Sequence, residues 1–395
     1  MYPKCEEQEL SLRWAKVKRV MTQSGVEAMI VSDNTSLIYL SGRIFSGVVL
    51  LLADEEQPLF FVRRPVGLEG ERVIYMRKVE DIPQSLQDLG IKLPNSIAIE
   101  GDAASYNEYM RLKGVFKISP DKIYPTATAI MRYARSVKTP YEIEQFKISA
   151  ALHSKLYSMV PEIFQPGMTD HQLAIELEYR ALCMGKKGSM RIFGNTMESH
   201  VGSILVGDNA DSPSPFDFAL GGAGFDRITP VGSNGSIITE GVTVMVDGGG
   251  NFTNYVTDMT RVFALGTLPD IAYRAHQTAL EMQEMLMQDA KAGRPTAQIY
   301  ENCIQIARRE SLSEYFMGHK QQAGFVGHGV GLEINESPVL APRSREHFEV
   351  GNVIAFEPKF VIPEIGAVGI ENTFVCTEGG KLEKITIFEE EIIAL

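Results

Sequence analysis

The chain has 395 residues, of which 44% are hydrophobic and 22% are charged. This is an ordinary globular composition, and the length allows two domains. The formal net charge of −12 at pH 7 excludes nucleic acid and anionic membrane as main partners, because both bind to basic surfaces. The charged N-terminus and the absence of an apolar run of ~20 residues predict a cytoplasmic protein without a signal peptide or membrane span.

The first third of the chain alternates helical and strand patterns. The segment RWAKVKRVMTQSG predicts a helix that closes on Gly25. VEAMIV (26–31) and GVVLLLA (47–53) predict buried strands, with SDNTSLIYLSG (32–42) as their connection. We place the domain boundary after residue 135, so that the predicted domains are 1–135 and 136–395.

Two helices should open the second domain. Thr139 and Glu142 fit a capping box, in which each side chain binds the other residue's backbone N–H. Thr169 and Gln172 fit a second box at the start of the next helix. Both segments therefore predict helices with well-defined N-termini.

The segment GVTVMVDGGGNFTNYVTDMTRVFALG, residues 241–266, predicts a β-hairpin. If the hairpin is symmetric about Phe252 and Thr253, Asp247 pairs directly with Asp258. Their Cβ atoms would then lie ~4.5–5.5 Å apart, a distance at which like charges are destabilising. Such a pair requires a strongly raised pKa or a bound cation. A divalent metal is one interpretation, and a solvated pair on an exposed hairpin is the other.

A helix at 271–293, ending on Gly293, and a series of short strands follow the hairpin. In these strands lie His328 within GHGVG, Glu357 after VIAF and Glu371 within AVGIENTFVC. Each residue alone is weak evidence. Together with the two aspartates they supply four carboxylates and one imidazole, an oxygen-rich set that suits hard divalent ions. Four carboxylates fit two ions that share bridging groups and activate one water.

This set resembles the pita-bread metallopeptidase family, which includes Xaa-Pro dipeptidase, aminopeptidase P, methionine aminopeptidase and creatinase. The resemblance rests on the order of the motifs, which are Asp247 and Asp258 in D-x10-D, Thr260–Arg261, His328 in GHGVG, Glu357–Pro358 and Ile370–Glu371–Asn372. It implies an α+β fold. A curved antiparallel sheet with helices would form the catalytic C-terminal domain, and a smaller α/β creatinase-like domain would precede it.

The surroundings of the expected metal ligands depart from the family pattern. Asn335 stands where prolidase-like members carry a histidine, and Ser214 lies near the place of a second family histidine. Gly369 replaces an arginine of many members. Asn335 could hold a substrate oxygen in a catalytic role, or it could simply cap a turn. His200 is a candidate displaced partner, with an incidental polar contact as the alternative.

The resemblance implies a metallopeptidase of the Xaa-Pro dipeptidase or aminopeptidase type, acting on short X-Pro peptides and forming a homodimer. Asp247, Asp258, His328, Glu357 and Glu371 would hold two divalent ions, with manganese favoured over cobalt, zinc and iron. Glu357 would pass a proton to the leaving nitrogen. Two alternatives stay open, an enzyme of this fold acting on another small amide or C–N bond and a catalytically impaired metal-binding homologue.

Overall fold

The computed structural model describes residues 7–194, 197 and 202–395. The chain forms two compact units, Met1–Arg135 and Ser136–Leu395. Within the described ranges, every helix is too short or too polar to span a bilayer.

The first unit is built on a mixed six-stranded sheet in the order β4-β3-β2-β1-β5-β6. Its strands are β1 (Ala28–Val31), β2 (Ser46–Leu52), β3 (Leu59–Arg64), β4 (Val73–Tyr75), β5 (Ile97–Ile99) and β6 (Ile123–Tyr124). Its helices are α1 (Glu7–Gln23), α2 (Asn34–Ser41), α3 (Ile82–Asp88), α4 (Tyr106–Lys113) and α5 (Ala127–Ser136). Short 3₁₀ helices span Val79–Asp81 and Pro120–Lys122.

The segment 32–42 lies between β1 and β2 as predicted, but it contains helix α2, which was not predicted. The carboxylate of Asp33 accepts hydrogen bonds from the backbone N–H groups of Thr35 and Ser36, which caps the first turn. Gly42 ends the helix with a left-handed φ of 69°. Both caps were present in the sequence, but the apolar residues between them matched no single periodicity.

The described residues of the second unit form three sheets and five α-helices. Its helices are α6 (Pro140–Tyr157), α7 (Val160–Ile163), α8 (Asp170–Cys183), α9 (Asp270–Asp289) and α10 (Thr296–Arg309), with a 3₁₀ helix at Gly207–Asp211. Its strands are β7 (Gly202–Val206), β8 (Thr243–Gly250), β9 (Thr257–Ala264), β10 (Gly327–Gly329), β11 (Glu336–Val339), β12 (Val353–Phe356), β13 (Lys359–Ile362), β14 (Gly366–Gly369), β15 (Asn372–Cys376), β16 (Leu382–Lys384) and β17 (Ile393–Ala394).

The sheets of the second unit are mostly antiparallel. They have the orders β17-β9-β8-β7, β11-β10-β12-β15-β16 and β13-β14. Among the described strand pairs of this unit, only β17–β9 is parallel. Buried alanines of α9 pack in one core with Phe356, Phe360 and Phe374 of the strands. The helices therefore cover the sheets that carry the motif residues.

The two predicted capping boxes are present at the starts of α6 and α8. At α6, Thr139 Oγ1 accepts from the Glu142 N–H at 3.2 Å, and Glu142 Oε2 accepts from the Thr139 N–H at 2.8 Å. The predicted end of α9 is wrong by four residues. The helix stops at Asp289, and Gly293 belongs to the turn beyond it with a φ of 86°.

Candidate metal centre

The 241–266 hairpin forms with a different register from the predicted one. Asp247 lies opposite Thr260, and Asp258 lies opposite Gly249. The direct Asp247–Asp258 pairing is therefore wrong. The two aspartates are diagonal neighbours on one face of the sheet. Diagonal backbone positions on paired strands lie ~7–8 Å apart, and their Cβ atoms lie somewhat closer.

The turn of the hairpin explains this shift. Six residues, 251–256, connect β8 to β9, so the centre of the hairpin falls after Thr253 and not before it. Helix α6 fixes this turn. Thr253 Oγ1 donates to the Gln145 carbonyl at 3.2 Å, and Ser149 Oγ donates to the Tyr255 carbonyl at 3.0 Å. The register thus depends on contacts with residues more than 100 positions away.

Three neighbouring strands bring the other candidate ligands together. His328 lies opposite Ala355 of β12, one pair from the end of that strand. Glu357 and Glu371 come just beyond the Phe356–Asn372 pair of β12 and β15. A backbone bridge between Thr260 and Glu371, with both N···O distances 3.3 Å, then joins β9 to this group. All five predicted ligands therefore converge on one place.

The sequence reasoning missed Lys359, which lies in the middle of this cluster. Its Nζ donates to Glu357 Oε2 at 2.8 Å, and to Asp247 Oδ2 and Glu371 Oε2 at 3.1 Å each. The side chain is only 1% exposed. Strand periodicity could have found it, because residues two apart on an extended chain point to the same face, and Lys359 follows Glu357 by two.

A second group of donor atoms lies beside the lysine. One ligand atom each from Asp258, His328 and Glu371 lies within 4.8 Å of the other two. Glu371 Oε1 is buried and has no hydrogen-bond partner among the described residues. His328 Nδ1 lies 3.0 Å from the Gly329 carbonyl oxygen, a contact that requires a proton on Nδ1 and leaves the lone pair on Nε2. These three residues fit one divalent ion.

Burial and crowding of like charges dominate the electrostatics. Burial, with Asp247 and Glu357 nearby, raises the pKa of Asp258 well above its usual value. Burial and the neighbouring Asp258 do the same to the pKa of Glu371. Burial alone would lower the pKa of Lys359, but the surrounding carboxylates raise it well above its usual value. The three carboxylate contacts therefore favour the ammonium form of the lysine.

Arg261, next to Thr260 in the motif, supports the cluster by hydrogen bonds to the backbone and side chains of neighbouring residues. Its Nη1 donates to the carbonyls of Thr260 and Glu371 at 2.8 and 2.9 Å, and its Nη2 donates to Asn372 Oδ1 at 2.9 Å. The Asn372 amide in turn donates to Gln283 Oε1 at 2.6 Å. This network fixes the backbone that carries Glu371.

The structure gives Asn335 and Ser214, two of the residues predicted to depart from the family pattern, hydrogen-bond partners. The side chain of Asn335 makes two bonds with the Phe193 backbone, donating to its carbonyl at 2.8 Å and accepting from its N–H at 2.7 Å. This pairing favours the structural alternative for Asn335 over a substrate contact. Ser214 Oγ accepts from the Phe216 N–H, and His200 lies outside the described residues.

Gly369 lies opposite Lys359 on β14. Its φ is 135°, and a Cβ atom there would lie 2.3 Å from the Pro358 carbonyl oxygen and 2.7 Å from Lys359 Cα. A side chain at position 369 would therefore displace the backbone that carries Lys359. The glycine at position 369 and the lysine at position 359 therefore belong to one local arrangement.

Comparison with known proteins gives matches along most of the chain. Residues 144–378 match the model of metallopeptidase family M24, and residues 13–137 match that of the creatinase/prolidase N-terminal domain. The chain is 24% identical to Xaa-Pro dipeptidase of Pyrococcus horikoshii, over 96% of this chain and 98% of that protein.

Solved structures of similar fold cover nearly the whole chain. Xaa-Pro dipeptidase from Bacillus anthracis superimposes with a TM-score of 0.79 at 22% identity, covering 98% of this chain and 100% of that one. X-Pro aminopeptidase from Thermotoga maritima gives 0.76 at 21% identity, covering 97% and 99%. These matches confirm the predicted fold class, a creatinase-like N-terminal domain followed by a pita-bread domain.

Proposed function

Because this chain belongs to metallopeptidase family M24, we propose that it is a metal-dependent hydrolase of short peptides with Xaa-Pro sequences as substrates. Its domains would be 1–135 and 136–395, the second being catalytic. Two relatives that cover nearly the whole chain carry the names Xaa-Pro dipeptidase and X-Pro aminopeptidase, which supports this substrate class.

The observation that carries the proposal is Glu371 Oε1, which lies beside His328 and Asp258 and has no hydrogen-bond partner in the part of the chain that the structure describes. A buried carboxylate oxygen without a partner is costly unless a cation occupies the space in front of it. Two oxygen donors and one imidazole suit manganese, and they also accept cobalt, zinc or iron. Manganese is the ion that we propose.

The ion, when bound, would lower the pKa of the attacking water and polarise the scissile carbonyl. Asp258, His328 and Glu371 would hold it. Glu357 would move the proton, because its Oε2 is fixed by Lys359 while its Oε1 lies 3.5 Å from His328 Nε2. Glu357 Oε1 would accept the proton of the attacking water and deliver it to the proline nitrogen as the C–N bond breaks.

The direct test is an assay of the purified protein on X-Pro dipeptides and longer X-Pro peptides with added manganese, cobalt or zinc. We expect Asp258→Asn to reduce kcat/KM by about 10³-fold or more, since it removes one of the three ion-holding groups. Turnover equal to that of Asp258→Asn with every substrate and metal would refute the proposed function.

Two observations favour a second candidate function. The protein would either act on another small amide or C–N bond, or bind metal with impaired catalysis. Lys359 engages three of the carboxylates, and Asn335 is bound to Phe193. Assays on a panel of non-peptide amides separate these functions. Metal-dependent turnover of such an amide without X-Pro hydrolysis would support the second candidate.

A further inference from the structure

We propose that the ammonium group of Lys359 takes the place of one of the two cations expected at this centre, so that the protein binds one divalent ion. The inference deepens the proposed function and rests on it only in assuming that a divalent ion binds at all. It assigns Lys359 as a built-in cation that positions Asp247, Glu357 and Glu371.

The geometry around Nζ carries the first step. Three carboxylates from separate parts of the fold, on β8, after β12 and before β15, direct one oxygen each at a single point within 3.1 Å. Three converging oxygens are the environment of a bound cation. Here that point is occupied by a nitrogen that belongs to the chain.

The charge of the cluster carries the second step. With all four carboxylates ionised, as ion binding requires, Asp247, Asp258, Glu357 and Glu371 together with the Lys359 ammonium have a formal charge of −3. One divalent ion reduces this to −1. A second would make the cluster positive and would bring a dication within a few ångströms of a buried ammonium, where repulsion is poorly screened.

The remaining donors carry the third step. Thr260 Oγ1 and Lys359 both contact Glu371 Oε2, at 2.8 and 3.1 Å, while Glu371 Oε1 has no partner among the described residues. Glu371 therefore uses one oxygen for the lysine and keeps the other for an ion. Asp258 and His328 are not held by Lys359 in any described contact, so they complete a site for one ion.

The test is the number of ions bound, measured by titration calorimetry with Mn²⁺ and by elemental analysis after gel filtration. We expect one ion per chain in the wild type and two in Lys359→Ala, because the substitution empties the position between three carboxylates. Lys138→Met is the matched control. Lys138 is an equally buried lysine, 3.3 Å from Glu336 Oε2, and its substitution should leave one ion bound.

The number of Mn²⁺ ions bound by the wild type tests the inference even if Lys359→Ala does not fold. Two ions in the wild type would overturn the role of Lys359 but leave the proposed function intact. One ion in both the wild type and folded Lys359→Ala would overturn the claim that the lysine excludes the second ion. No ion in either protein would overturn the metal-dependent function together with this inference.

Discussion

Each unit buries glutamates, and two of them, Glu100 in the first unit and Glu371 in the second, have opposite hydrogen-bonding environments. Glu100 of the first unit is 2% exposed and Glu371 of the second is 1% exposed, so burial does not distinguish them. Glu100 follows β5 and accepts from the N–H groups of Ser32 and Asp33 at 2.6 and 2.8 Å and from Ser36 Oγ at 2.6 Å. Both of its oxygens are satisfied by neutral donors at the start of α2.

Glu371 instead has one hydroxyl and one ammonium on Oε2 and no partner for Oε1 among the described residues. Other carboxylates surround it. The comparison teaches that burial of a carboxylate by itself does not identify a site. A buried carboxylate whose oxygens all accept hydrogen bonds stabilises the backbone that donates them. A buried carboxylate with an unsatisfied oxygen, surrounded by other carboxylates, instead indicates a cation-binding site.

The largest expected effect separates these two glutamates directly. Glu371→Gln should weaken Mn²⁺ binding more than about 100-fold, beyond what is typical for groups that only support metal ligands. Titration calorimetry measures this change. Glu100→Gln is the matched control and should leave the Mn²⁺ affinity unchanged. Equal affinity for Mn²⁺ in wild type and Glu371→Gln would contradict the assignment of Glu371.

Removal of the lysine should produce the next largest effect. In metal-free protein, Lys359→Met should lower the free energy of unfolding by about 3–5 kcal/mol, because it leaves buried carboxylates without their cation. Mn²⁺ should restore much of this loss. Urea denaturation followed by circular dichroism, with and without Mn²⁺, measures both changes. Lys138→Met should also be destabilised, but Mn²⁺ should give it no more stabilisation than it gives the wild type.

The pH response of the first unit should show a smaller effect. Burial raises the pKa of Glu100, so the native state keeps this proton to higher pH than the unfolded state does. The contribution of Glu100 to the free energy of unfolding is therefore present below its unfolded pKa, near 4.5, and declines as pH rises through the raised folded pKa.

Glu100→Gln should remove that decline. The variant should lose about 1–2 kcal/mol of stability near pH 5, from the altered hydrogen bonds, and the difference from wild type should shrink toward pH 8. Trp14, the single tryptophan, lies in α1 and reports on this unit. Urea denaturation followed by its fluorescence measures the difference. A difference that grows with pH would contradict the raised pKa.

The smallest effect is expected at position 335. Because both ends of the Asn335 amide bind the Phe193 backbone, Asn335→His should leave the pH profile of kcat/KM unchanged. Its effect should appear only as a modest loss of stability, about 1 kcal/mol for altered hydrogen bonds. A new ionisation in the profile would show that position 335 contacts the substrate after all.

Much of the candidate site could be predicted from motif order. The motif order indicates one group of ligands, and the structure brings its members together: Asp247, Asp258, His328, Glu357 and Glu371. The capping boxes at α6 and α8 were also readable, because each depends on residues three positions apart. Helix α2 was missed because its buried, mainly apolar residues give no amphipathic pattern.

The sequence by itself determined that five ligand-type residues belong to one group, since strand alternation and the order of short motifs are readable along the chain, but it did not reveal Lys359 among them. Only the tertiary structure decided how they meet. The hairpin register is set by the contacts of its turn with α6, and the position of Lys359 is set by its pairing with Gly369. Whether a buried carboxylate has a partner depends on distant segments, and this spatial balance of charge decides where an ion can bind.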